Sequence, residues 1–147
     1  MYEVIGECIK SATAIKLGEI FGTSIKRYKE NITNLQYPHF FIYQVSLNIA
    51  PDTKNKWNLN YLMNIRYRYV ADVSTVNDLE QELDRVGLQL LAEFDSIMLE
   101  RLVRVTNCRY EKADGVLQFF FNVNVRVTKP VQETIKMNEL ELKEEVN

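Results

Sequence analysis

Hydrophobic and polar positions along this chain follow two periods, and the switches between them divide it into elements. From Tyr2 to about Phe21, the residues Ile5, Cys8, Ile9, Ala12, Leu17, Ile20 and Phe21 recur at spacings near three and four, which predicts a helix with one apolar face. The pattern breaks around Ala14 and Ile15. Gly18 weakens this helix and Gly22 ends it, since glycine is a poor helix interior and a good residue just past a C-terminus. Thr23 to Tyr28 predicts a brief strand anchored by Ile25. Asn31 to Pro38 reads as a loop in which Pro38 holds Tyr37 extended.

The period then changes to two. Phe41, Tyr43, Val45, Leu47 and Ile49 alternate with Gln44, Ser46 and Asn48, and after the polar connection Pro51-Asp-Thr-Lys-Asn-Lys56 the alternation resumes. Leu59, Tyr61, Met63, Ile65, Tyr67 and Tyr69 share one face of this second strand, and Asn58, Asn60, Asn64, Arg66 and Arg68 share the other. Such patterning predicts a sheet with one buried face and one face that is wet or partnered. The second strand is long enough that its far end, with the 51–57 loop, is expected to project beyond the domain body.

A helix is predicted next. Thr75-Val-Asn-Asp78 resembles a capping box with Asp in the place of the more usual Glu or Gln. Val76, Leu79, Leu83, Val86, Leu90, Phe94 and Ile97 then keep helical spacing, with Leu91 and Met98 widening the stripe. Leu102 to Tyr110 reads as a strand with a less clean alternation. Ala113-Asp-Gly115 is a strong hairpin signal. Leu117, Phe119, Phe121, Val123, Val125 and Val127 alternate with Gln118, Asn122, Asn124, Arg126 and Thr128 in a final strand that Lys129-Pro130 stops. The expected fold is therefore α+β: an antiparallel sheet of four to five strands with two helices packed on one face. Residues 1–130 would form a single domain, followed by an acidic tail or arm over 131–147.

Charge changes the picture little in sum and more in distribution. The 147 residues carry 18 basic and 20 acidic side chains, a net −2. Residues 131–147 hold five Glu against Lys136 and Lys143, a local −3, which leaves the first 130 residues at +1. A bulk basic excess of the kind that marks nucleic-acid binders is absent. With 46% apolar and 26% charged residues, and only 5 Gly and 3 Pro, disorder and fibrous classes are excluded. A chain of this size buries roughly 68–70% of its unfolded surface, enough for one core without staples. Two cysteines are too few for a disulfide framework and suit a reducing compartment. Neither a signal peptide nor an apolar run near ~18 residues is present, so no export and no membrane contact are expected.

Candidate chemistry is sparse. His39 is the one histidine, with neither Cys8 nor Cys108 near it in sequence, so the expected role is a partly buried strand-edge residue rather than half of a nucleophilic pair. No His, Cys or carboxylate pair shows metal-ligand spacing. Glu80, Glu82 and Asp84 fall on a solvated helix face, and five scattered glycines write no phosphate-cradling loop. No enzyme, cofactor or metal is expected. The candidate residues lie on the surface instead. Trp57 ends a polar loop with Lys54 and Lys56, an arrangement common in protein–protein anchors. Arg66, Arg68 and Arg126, among the asparagines of the polar sheet face, are candidates for contact with a neighbouring copy. RNA binding on that face would need outward aromatics, for which Phe120 is the main candidate.

The ordered set of segments resembles a family of phage tail terminators, from contractile-tailed phages and phage-tail-like particles of Gram-positive bacteria. The residues that carry the likeness are Tyr37-Pro-His-Phe-Phe-Ile42, the long polar hairpin into Tyr67-Arg-Tyr69, the capped 75–98 helix, Asp114-Gly-Val-Leu-Gln-Phe119 and Met137-Asn-Glu-Leu140, across roughly residues 1–142. The resemblance implies a homohexameric ring on the head-proximal end of the tail tube, which stops tube polymerisation and joins the neck or connector proteins of the head. In a contractile tail the ring also meets the last sheath ring. It implies a virion protein of the tail–neck region, assembled in the host cytoplasm, through which DNA passes without sequence-specific binding. In that setting the 51–57 hairpin would contact a tail or neck protein, and Arg66 or Arg68 would pair with acidic groups of a neighbouring subunit. The alternatives are another head–tail connector or neck protein, or a small sheet-based nucleic-acid or ligand-binding module.

Overall fold

A computed structural model of the protein describes residues 2–30 and 33–128; the 131–147 tail, and Asn31 within the loop, lie outside the described residues. The elements are α1 (Tyr2–Phe21), β1 (Lys26–Tyr28), β2 (His39–Thr53), β3 (Lys56–Arg68), a 3-10 turn (Val73–Thr75), α2 (Leu79–Glu93), β4 (Ser96–Met98), β5 (Leu102–Ala113) and β6 (Val116–Thr128). The strands form one sheet in the order β1-β2-β3-β6-β5-β4. Its inner face, Leu59, Met63 and Ile65 of β3 with Leu117, Phe119, Phe121 and Val123 of β6, is sealed from water. Both helices lie on this face: Phe21 at the end of α1 packs on Phe40, and Phe94 at the end of α2 packs on Phe119 and Phe121.

The α+β class and the two covering helices match the expectation, while the sheet has six strands and is mixed rather than strictly antiparallel. β1 pairs parallel to β2, Lys26 opposite His39 and Tyr28 opposite Phe41. The remaining pairings are antiparallel. A parallel neighbour needs a crossover instead of a hairpin, and the stretch between β1 and β2 supplies the return. As a consequence His39, expected at a strand edge and partly buried, sits between β1 and Arg68 of β3 and is 1% exposed.

The sixth strand comes from a helix that ends early. Ile97 and Met98 continue the helical stripe in sequence, but the chain leaves α2 at Phe94, and Ser96–Met98 pairs with Leu102–Arg104 as the short edge strand β4. Ile97 is buried either way, so periodicity alone could not separate the two outcomes. The helix also starts later than the capping-box pattern suggests. Asp78 is its N-cap without a side-chain cap bond, and Asp72 instead caps the 3-10 turn by accepting from the Ser74 N–H. In α1, Ile9, Ala12 and Leu17 face the core as the spacing implies, whereas Cys8 and Ile15 face outward.

Register shifts in β2, at Gln44/Ser46 and at Pro51/Thr53, and in β5 decide which residues face which way. In β2 the pairing passes from Gln44↔Met63 to Ser46↔Leu62, so Val45 is an extra residue. An inserted residue reverses the parity of everything beyond it. Phe40, Ile42 and Gln44 therefore point inward before the bulge and Leu47 and Ile49 after it, which turns Phe41 and Tyr43 to the outer face. The continuous Phe41-to-Ile49 alternation is not one face. In β5 the register jumps between Thr106 and Arg109, with Asn107 at φ 55°, which accounts for the unclean pattern of that strand. The Asp114-Gly115 hairpin has both residues at positive φ, 56° and 75°, as a type I′ turn requires. Its tightness is real on the side-chain side too, because a Cβ on Gly115 would fall 2.5 Å from Val73 Cγ1.

Candidate functional site

The polar connection expected at 51–56 is mostly strand. β2 runs to Thr53, β3 begins at Lys56, and only Lys54 and Asn55 turn between them. The two strands and the end of β6 make a three-stranded arm, with Lys56 opposite both Thr53 and Thr128. The arm's outer face is held by short-range polar contacts. Lys56 donates to the Thr128 hydroxyl at 3.0 Å, and Arg126 Nε lies 2.6 Å from Asp52 Oδ2. Arg126 is thus committed within its own chain. Further in, Asn48, Asn60 and Asn124 stand directly opposite one another, and Asn122 donates to Asn60 at 3.2 Å.

Trp57 lies on the opposite face of the arm from Lys56 and Arg126, in one row with Pro51 and Val127. The next row is Ile49, Leu59 and Val125, of which Ile49 remains 43% exposed. The underside of the arm is therefore an apolar strip that continues the core beyond the helices. A second exposed apolar surface lies at the other side of the sheet, where α1 meets β4 and the start of β5. Ile15, Met98 and Leu102 are 61%, 61% and 62% exposed there, around a groove of about 340 Å³ that Ala12 and Ile97 also line. Sequence reasoning missed this groove, because Met98 reads as a helical core position and only the early stop of α2 turns it outward.

Arg66 and Arg68 sit elsewhere, ten or more residues up β3 from the arm's tip. Their neighbours are aromatic. The Arg66 guanidinium lies 4.9 Å from the centre of the Tyr43 ring, Arg68 lies 5.9 Å from that of Tyr37, and on the same face Arg109 lies 4.2 Å from that of Phe120. The outer face thus carries more than the expected Phe120: the Val45 bulge brings Phe41 and Tyr43 to it, their rings 4.8 Å apart. Arg109 also pairs with Glu111. Neither Arg66 nor Arg68 has a carboxylate within ion-pair distance among the described residues.

The titratable groups neutralise one another rather than converge. Asp84 accepts from Lys112 at 2.9 Å and from the Tyr110 hydroxyl at 3.0 Å, contacts that hold its carboxyl below the usual range. Glu82 is held below its ordinary range chiefly by Arg85, and it also accepts from the Tyr67 hydroxyl at 3.0 Å. His39 Nδ1–H donates to the Gln36 carbonyl at 3.0 Å, and burial lowers its pKa from 6.5. Burial pushes the Cys108 thiol up, away from the reactive thiolate. Among the described residues no three His, Cys, Asp or Glu side chains gather where a metal ion could sit. No described helix is long and apolar enough to cross a membrane.

The family model described as phage tail terminator protein matches residues 8–135, from the second turn of α1 to beyond the end of β6. None of the curated proteins matches the chain. A match over so much of the chain shows the family, and the protein belongs to the phage tail terminators, structural components of the phage tail.

Proposed function

We propose that the protein forms a closed ring, a homohexamer, that caps the head-proximal end of the tail tube. There it stops tube polymerisation and presents the joining surface for neck proteins and, in a contractile tail, for the last sheath ring. DNA passes through the ring without sequence-specific contacts, and assembly takes place in the host cytoplasm. The observation that carries this reading is the presence of two dissimilar exposed apolar surfaces on different parts of one subunit. One is the strip under the arm around Ile49 and Trp57, and the other is the groove around Ile15, Met98 and Leu102.

A cyclic ring is built from heterologous contacts, in which each subunit offers one patch and receives another. The arm is the part that can reach a neighbour, and the groove is a concave apolar receiver. β4 is only three residues long and forms the edge of the sheet beside that groove. Short edge strands are less prone to open-ended pairing, which favours a defined contact over aggregation. Lys54, at the arm's tip, is left for the tube or neck partner. Deleting the gene tests the reading: tails of uncontrolled length that fail to join heads are expected in electron micrographs. Tails of normal length joined to heads would refute it.

A further inference from the structure

On the outer face of the sheet, Tyr43, Asn64, Phe120 and Arg109 form one row across four strands, and Arg66 stands in the next row. Asn64 is 2% exposed, yet neither its amide nitrogen nor its amide oxygen has a hydrogen-bond partner, and the buried Arg66 Nε has none either. A buried polar group without a partner has given up its water for nothing in return, so three such atoms on two residues of β3 mark a place where something polar is missing. The half-buried rings of Tyr43 and Phe120 flank Asn64 on the two neighbouring strands. An Asn amide both donates and accepts, which suits the backbone of an extended peptide. The two arginines without carboxylate partners, Arg66 and Arg68, call for anionic side chains on it.

We propose that this patch receives the acidic 131–147 segment of a second copy of the chain, an inference that rests on the self-assembly read above. The segment has the required chemistry: five glutamates against two lysines, with Leu140 and Leu142 alternating among Glu139 and Glu141 to meet the aromatic rings. Arginine and tyrosine are also the residues most enriched where interfaces concentrate their binding energy. The direction of β6 favours a neighbour over the same subunit. Thr128 lies opposite Lys56, ten residues from Arg66 along β3 and so ~33 Å away. β6 runs toward that tip and away from Arg66, so reaching the patch of its own subunit would require the chain to reverse, whereas reaching that of a second copy would not.

The test takes the full chain with Glu139→Lys, Glu141→Lys, Glu144→Lys and Glu145→Lys, so that its own tail does not compete, and titrates in a fluorescent peptide of residues 131–147. Saturable binding is expected, weakened at least about tenfold by adding Arg66→Glu and Arg68→Glu, as reversal of interface charges does. Where the reversed chain fails to fold, Arg66→Gln with Arg68→Gln is read in its place. No binding, or equal binding to both chains, overturns the proposal, and so does duplex DNA that outcompetes the peptide at this patch. Mixing the tail-reversed chain with an otherwise unaltered Arg66→Glu/Arg68→Glu chain then tests the second copy, since opposite charges meet only between the two. Native mass spectrometry should show the mixed complex and neither variant paired with itself; absence of the mixed complex overturns docking between copies. The titration is read on isolated subunits, so it stands or falls apart from whether the ring itself forms.

Discussion

Gly87 in α2 and Tyr110 in β5 are in direct contact, so close that a Cβ on Gly87 would fall 2.9 Å from three carbons of the Tyr110 ring. The ring cannot simply swing away, because its hydroxyl donates to Asp84 one turn earlier on the same helix at 3.0 Å. Gly87→Ala sets two opposed effects against each other. Alanine gains up to ~1 kcal/mol of helix propensity over glycine, while forcing a methyl into a packed contact costs typically ~1–3 kcal/mol. Net destabilisation of about 1 kcal/mol is expected by chemical denaturation. A stabilised variant would show that α2 can lift off β5 freely.

Tyr67 is 1% exposed and its hydroxyl donates a hydrogen bond to Glu82, which also pairs with Arg85 at 2.6 Å. Tyr67→Phe keeps the ring packing and removes one hydrogen bond to a carboxylate that retains its Arg85 partner. The expected loss is about 1 kcal/mol, the usual net worth of such a bond. A loss several times larger, in the same denaturation measurement, would mean that Glu82 is stranded without it.

Stability should fall on mild acidification through His39. Its folded pKa lies below the model-peptide value of 6.5, first through burial, then against the raising effect of the Gln36 carbonyl, and further through Arg68. The unfolded chain therefore binds the proton more readily than the folded one. Stability is fully present above 6.5 and declines as pH drops from there toward the folded value. His39→Gln should flatten that part of the stability–pH curve. An unchanged slope in the variant would assign the effect to other groups.

Trp57→Ala and Leu102→Asp probe the two apolar surfaces separately. Each side chain lies outside the sealed core, so subunit folding by circular dichroism should be nearly unchanged. Ring formation, or tail joining in infected cells, should weaken at least about tenfold for either, the scale of losing one anchor residue. Unaltered assembly in one variant would remove that surface from the interface.

The candidate surfaces were only partly legible in the sequence. Lys54, Lys56 and Trp57 could be named because the 51–57 stretch interrupts two alternating runs, and Arg126 because it falls on the polar face of the last strand. Their division between two faces followed less readily: Trp57 lies under the arm, while Arg126 is held by Asp52 on the outer side. The Ile15–Met98–Leu102 groove had no local signal at all. Met98 looks like ordinary helical core by spacing and Ile15 falls where the α1 pattern breaks, and their meeting with Leu102 follows from where α2 stops.

By itself the sequence determined the α+β class, the two covering helices and the inner faces of β3 and β6. In those strands apolar side chains repeat at the same period as the pleat, and burial of a whole face admits only one register. Tertiary structure decided the rest: the parallel seat of β1, the conversion of Ser96–Met98 from helix to edge strand, and the outward turn of Phe41 and Tyr43. The physical reason is that a bulge or a strand pairing is a contract between two distant segments. Val45 is an extra residue only with respect to Met63 and Leu62, and nothing in its immediate neighbours states that relation.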